Sequence, residues 1–260
     1  AQYQLAQLQL RSGGENATTL LQELAEQGHV EAQFSLAQLF EFGKGIEEDL
    51  DQANYFYRLA AAQGHALAEL KMGLMLRHGL GAKQDLEEAV NYFLLAGDQG
   101  SAEALYQAGL MFYEGLGVAK DKKLAAEYYL SAAETGHARA QYNLAQMLRE
   151  GQNGPADYVQ AKRWYTLAAR QGLIQAQFNL GMLCYLRKPA PKAPSESFMW
   201  WAIAASQGDE LANKNLKLLS NDLSLDEKTQ ALEQAREWSS MFGGLKALNL
   251  FFEKSSIPSD

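Results

Sequence analysis

The side chains that could carry chemistry in this sequence are few, and their spacing says what they are for. There is one cysteine, Cys184, so no intramolecular disulfide can form. It stands in register, at 36-residue steps, with Phe40, Leu76, Phe112 and Leu148, which predicts a small buried hydrophobe and not a reactive thiol. Of the four histidines, His29, His65 and His137 each follow a glycine at multiples of the same step. A metal needs ligands that converge on one point, whereas equivalent positions on stacked helices lie ~8–10 Å apart or more, so these histidines predict no metal site. Gly43-Lys44-Gly45, Gly79-Leu80-Gly81 and Gly115-Leu116-Gly117 could in principle cradle phosphate. They follow predicted helices, not strands, and therefore read as helix ends. Asp49, Asp85, Asp121 and Asp157 recur at the same interval and read as helix N-caps. No Ser–His–Asp or Cys–His arrangement stands out. Asn16-Ala17-Thr18 matches a glycosylation sequon, a triplet that also arises often by chance.

The elements that place these residues are set by a strict repeat. Gly28, Gly64, Gly100, Gly136, Gly172 and Gly208 are each 36 residues apart, the mark of stacked supersecondary units. The unit Ser101–Gly136 predicts two helices. The first runs over about 102–113, with Ala104, Leu105, Ala108, Gly109 and Phe112 at helical spacing, and ends at Gly115. The second is opened by Asp121 and carries Ala125, Tyr128, Tyr129, Ala132 and Ala133. A small residue recurs in the first helix (Ala37, Gly73, Gly109, Ala145, Gly181), where a neighbouring backbone is expected to come close. An aromatic pair recurs in the second (Phe56-Tyr57, Tyr92-Phe93, Tyr128-Tyr129, Trp164-Tyr165, Trp200-Trp201). A lone hairpin cannot bury such faces, but a stack can.

This recurring A-x-x-x-L-G-x-x-Y-x-x-G-x-G-V-x-x-D-x-x-x-A-x-x-W-Y-x-x-A-A-x-x-G pattern resembles the Sel-one-like repeat family, relatives of the tetratricopeptide repeats, over roughly Val30–Gly208. The resemblance implies an all-α fold: an α/α solenoid superhelix of 36-residue helix-loop-helix repeats. It implies a protein- or peptide-binding adaptor or scaffold with no catalytic residues, no metal and no cofactor. The alternative it allows is a repeat protein that binds or hydrolyses cell-wall fragments or β-lactams. Some secreted members staple each unit with a disulfide, and this chain does not resemble them.

The expected organisation is a solenoid over 1–208, its first unit (1–28) shortened and followed by five full repeats, and a C-terminal partial repeat with helical cap over 209–260. There Ser224-Leu225-Asp226-Glu227 reads as a capping box. The apolar Leu245–Phe252 is expected to fold back, with Phe251 and Phe252 near Trp238. In the fifth unit LRKPAPKAPS (186–195) replaces the Gly-x-Gly and aspartate. Ser195 is the expected replacement cap, and Arg187, Lys188 and Lys192 make the loop basic. A net charge of -8 argues against nucleic acid and anionic membrane surfaces as partners, and no apolar run is long enough for membrane insertion. The chain begins at Ala1, which is read as loss of an N-terminal segment. The expected location is periplasmic or secreted, with cytoplasmic as the alternative, and the expected state a monomer or weak homodimer.

By analogy with tetratricopeptide stacks the first helices line a concave groove. Three rows at 36-residue steps would face it: Phe34, Leu70, Tyr106, Tyr142, Phe178; Gln38, Leu74, Leu110, Gln146, Met182; and Glu41, Arg77, Tyr113, Arg149, Tyr185. Tyrosine, arginine and methionine are enriched in interfaces. The partner-binding residues are therefore expected to be Leu70, Leu74, Arg77, Tyr106, Leu110, Tyr113, Tyr142, Arg149, Phe178, Met182 and Tyr185. Arg77 and Arg149, at a position expected to be free of packing demands, would grip peptide carboxylates.

Overall fold

The computed structural model describes residues 2–12, 16–186 and 193–254. Among them are fifteen α-helices and no strand. Five pairs repeat: α3 (Val30–Phe42) with α4 (Leu50–Ala61), α5 (Ala66–His78) with α6 (Leu86–Asp98), α7 (Ala102–Glu114) with α8 (Lys122–Glu134), α9 (Ala138–Glu150) with α10 (Tyr158–Arg170), and α11 (Ile174–Tyr185) with α12 (Pro194–Ser206). The shorter pair α1 (Gln2–Ser12) and α2 (Ala17–Glu26) precedes them. They are followed by α13 (Glu210–Ser220), α14 (Leu225–Phe242) and α15 (Leu245–Lys254). Backbone contacts gather into two compact units, Ala1–Tyr128 and Tyr129–Asp260. In the first, each helix from α1 to α7 packs on the next in sequence. In the second, α9 to α13 do the same, and α14 and α15 both lie on α12.

Most of the helices start where a side chain accepts an orphan N–H; α2, α11 and α12 do not. Asp49, Asp85, Asp121 and Asp157 accept from the amides of Gln52, Glu88, Leu124 and Gln160, all at 2.9 Å. The repeating histidines do the same for the first helices. Their Nδ1 atoms accept from the amides of Ala32 (3.3 Å), Ala68 (3.2 Å) and Ala140 (3.1 Å). The proton of each therefore sits on Nε2. Ser101 and Asp209 take the same position in other units. Ser195, however, does not cap α12. Ala193 occupies the N-cap position and Pro194 the first turn, where proline's fixed φ starts a helix without a side-chain acceptor. Arg187, Lys188 and Lys192 lie outside the described residues. The capping box at Ser224 and Glu227 is formed, with both reciprocal bonds present.

The core is built from alanine and aromatic rings. Ala32, Ala68, Ala104, Ala140, Ala176 and Ala212 are fully buried in the first helices. In the second helices so are Ala53, Ala89, Ala125 and Ala161. Of each aromatic pair the second ring goes deepest: Tyr57, Phe93, Tyr129, Tyr165 and Trp201 are all at most 2% exposed. Gly79 ends α5 at φ 68°, and two residues on, Gly81 (φ 60°) brings the loop against the preceding repeat. A Cβ there would lie 1.9 Å from the Leu50 carbonyl oxygen, so the turn admits only glycine.

A polar clasp also runs between first helices and second helices, one the sequence reading missed. Gln63, Gln99, Gln171 and Gln207 donate Nε2–H to Gln33, Glu69, Gln141 and Gln177 at 2.8–2.9 Å. The acceptors are buried, so each bond satisfies a polar atom that would otherwise be costly. The signal was present as a glutamine before most closing glycines. At the C-terminal end, Leu248 of α15 is fully buried and Phe251 packs half-buried on the same core, as does Trp238. The Phe252 side chain lies outside the described residues.

Candidate functional site

The first helices carry the three predicted rows, and the structure gives each row a different character. In the first row, Phe34 and Tyr106 are 8% exposed and belong to the core, while Leu70, Tyr142 and Phe178 are half-buried. Tyr142 tilts against Tyr165 at 5.7 Å between ring centres, and Phe178 against Trp201 at 6.5 Å. In the second row Leu74, Leu110 and Met182 are half-buried.

The third row is not free of structural duty. Three of its members, Glu41, Arg77 and Arg149, are met by the residue 30 positions on, from the next first helix. Glu41 accepts from the Lys71 ammonium at 2.7 and 2.9 Å and also takes the Tyr57 hydroxyl. The Arg77 guanidinium donates to Gln107 Oε1. Arg149 donates to Asn179 Oδ1 at 2.9 Å and pairs with Glu150. The two arginines thus hold neighbouring helices together, because a long donor at this position reaches the polar residue of the following repeat. The Arg149 side chain is 27% exposed. Tyr113 lies half-buried beneath the ammonium groups of Lys120 and Lys122, 5.8 and 5.4 Å from its ring centre. Tyr185 is the most open of the row, 39% exposed, with its ring 5.6 Å from that of Trp201.

Tyr185 and Met182 open onto a pocket of about 210 Å³ between α11 and α13, completed by Leu186, Trp201, Asn215, Leu218, Leu219 and Asp222. Trp201 forms its floor, pinned by an N–H bond to the Phe178 carbonyl at 3.2 Å. A second pocket, of about 260 Å³, lies between α1 and α3 and is lined by Gln7, Leu10, Ser35, Gln38, Leu39, Phe42 and Lys44. The two are the same notch in repeat terms. Ser35 and Asn215 are equivalent, as are Gln38 and Leu218, and Leu39 and Leu219.

The titratable groups elsewhere are structural. Burial, reinforced by the Glu196 carboxylate, pushes the Cys184 thiol up to about 12, so it stays protonated. Burial raises Tyr165 and Tyr57 as well, the latter helped by its bond to Glu41. Among the described residues no three His, Cys, Asp or Glu side chains gather as a metal-binding group, and no helix is long and apolar enough to cross a membrane.

Helix pairs at a 36-residue step, glycine-closed and stacked through alanines and rings, define an α/α repeat protein. Sel1 repeats match residues 30–65, 66–101, 102–137, 138–173 and 174–209 without a gap, and the chain belongs to the Sel1 repeat family. It is similar to a Sel1 repeat protein of Oxalobacter formigenes, with 33% identity and a TM-score of 0.66, over 78% of this chain and 83% of the other. It is also similar in fold to c5321, a protective antigen of uropathogenic Escherichia coli with an SLR fold. That match has 22% identity and a TM-score of 0.60, and it covers all of this chain but 64% of the antigen's length. Among functionally curated proteins none matches the chain.

Proposed function

We propose that this protein is a non-enzymatic adaptor that binds a protein or peptide partner through the exposed edges of its first helices. Sel1 repeats serve generally in protein–protein interaction, and one observation of this chain points to where: the pocket beside Met182 and Tyr185, apolar on its walls and polar at its rim. Such a combination is what anchoring side chains of a partner seek. Within the same compact unit Tyr142 would add an aromatic edge and Arg149 its remaining donors, and Phe178 would support this surface from behind. Selection of peptides from a displayed library on the full chain tests the reading. Selected peptides should bind with a measurable Kd and lose at least tenfold in affinity against a Met182→Ala/Tyr185→Ala variant whose helical circular dichroism is unchanged. Equal binding by the variant, or no selected peptide at all, would overturn it.

A further inference from the structure

The notch between consecutive first helices is solved in two ways along the chain, and the contrast says what the open one would hold. In the α3/α5 junction it is filled from within. The Lys71 ammonium lies over the rings of Phe42 and Tyr57, at 5.2 and 6.0 Å, and closes an ion pair with Glu41 at 2.7 Å. Four repeats later the four positions equivalent to Lys71, Glu41, Phe42 and Tyr57 are Asn215, Tyr185, Leu186 and Trp201. All four line the pocket between α11 and α13. The aromatic floor and apolar wall are kept, but the side chain that would occupy them is cut from lysine to asparagine. The space that receives a lysine stem in one junction is open in the other.

The polar groups at the rim match the missing head. Glu41 has no acidic counterpart at Tyr185, yet Asp222 of the loop after α13 lines the same pocket, and among the described residues its carboxylate has no ion-pair or hydrogen-bond partner. Among the described residues the Asn215 amide reaches only the Met182 thioether, at 3.9 Å. A carboxylate and an amide oxygen above two aromatic rings and a thioether suit a cation on an apolar stem. The net charge of -8 favours approach of a basic partner.

We propose that this pocket takes a lysine or arginine side chain of a protein partner, reproducing from outside the contact that Lys71 makes from inside. Its biological sense rests on the adaptor reading above, but the site can be tested apart from it. In ¹H–¹⁵N correlation spectra of the full chain, the Trp201 indole N–H and the Asn215 side-chain amide report on the pocket. N-acetyl-lysine methylamide or its arginine counterpart should shift both signals in a saturable way. The norleucine analogue, with nearly the same stem and no charge, should bind at least fivefold more weakly. Asp222→Asn should bring the lysine compound down to the norleucine level. Asn215→Lys should abolish binding by filling the pocket as Lys71 fills its own, with the rest of the spectrum preserved. Equal affinity for lysine and norleucine, indifference to Asp222→Asn, preference for the glutamate analogue, or no shift at saturating ligand would each overturn the proposal. Library peptides that bind the chain without enrichment in lysine or arginine would sink this inference and leave the adaptor reading standing. Lysine amide binding without any selected peptide would do the reverse.

Discussion

Glu196 sits in the first turn of α12, where its carboxylate takes the Lys162 ammonium at 2.7 Å beside the buried Cys184. Burial alone would raise its protonation point, yet the bond from Lys162 holds it below the ordinary carboxylate value of 4.5. A carboxylate depressed in the folded state stabilises the fold above its unfolded value, and that contribution is lost as pH falls through the folded value. Glu196→Gln should therefore be less stable than wild type at pH 7. Because both side chains are 35% exposed, solvent screening limits the gap to about 0.2–1 kcal/mol. The gap should narrow below pH 4.5 and close in stronger acid, as read by urea denaturation across that range; a gap constant with pH would refute the assignment. The pair was not foreseen, since its partners are 34 residues apart, on the second helices of two successive repeats. The histidine caps were closer to hand. Histidine, serine and aspartate alternate at the position after the closing glycine, and what they share is a side-chain acceptor within reach of the backbone. The sequence shows the recurrence of His29, His65 and His137 but not the direction in which Nδ1 points.

At the scale of the helix, the repeat period made the pairs, their caps and their glycine ends legible, because each depends on residues a few positions apart. Contacts between repeats were legible only in kind. The small residue in each first helix was expected to admit a neighbouring backbone, but at Gly73 and Gly181 what comes close is the deep aromatic ring of the second helix. A Cβ at Gly181 would lie 2.4 Å from Nε1 of Trp201, and one at Gly73 would lie 2.6 Å from the Phe93 ring. Trp201 cannot step aside easily, since it is 2% exposed and tied to the Phe178 carbonyl. Gly181→Ala should cost about 1–3 kcal/mol through overpacking. Elsewhere the chain pairs alanine with tyrosine at these two positions, as in Ala37 with Tyr57 and Ala145 with Tyr165, all fully buried. Trp201→Tyr introduced with Gly181→Ala should therefore recover at least half of the loss, a coupling measurable in a double-mutant cycle. Additive losses would show that the two residues do not share that space. The third row taught the opposite lesson. Arg77 and Arg149 recur as interface residues do, but their bonds to Gln107 and Asn179 depend on the stagger of successive repeats, which a single sequence does not reveal.

Over the whole molecule, stability in a repeat array is carried by contacts between neighbours, so a lesion at one end should stay near that end. The last helix offers the test. α15 packs on α12 and α14, and its Leu248 is fully buried in a core that also holds Trp200, Trp201, Leu216 and Leu232. Ending the chain after Gly244 would uncover that part of the core. A large apolar side chain returned to water costs ~1.5–3 kcal/mol, and Leu248 and Phe251 would both lose their packing. The truncated protein should unfold at a lower temperature and lose solubility. Its hydrogen-exchange protection should fall in α12, α13 and α14, the helices of the compact unit that holds α15. Protection in α3 to α6 should remain as in the full chain, because no contact of those helices is removed. Equal stability with loss of self-association would instead identify α15 as an interaction element. Uniform loss of protection from α3 through α14 would mean that the chain unfolds as one cooperative body and not as an array of neighbours.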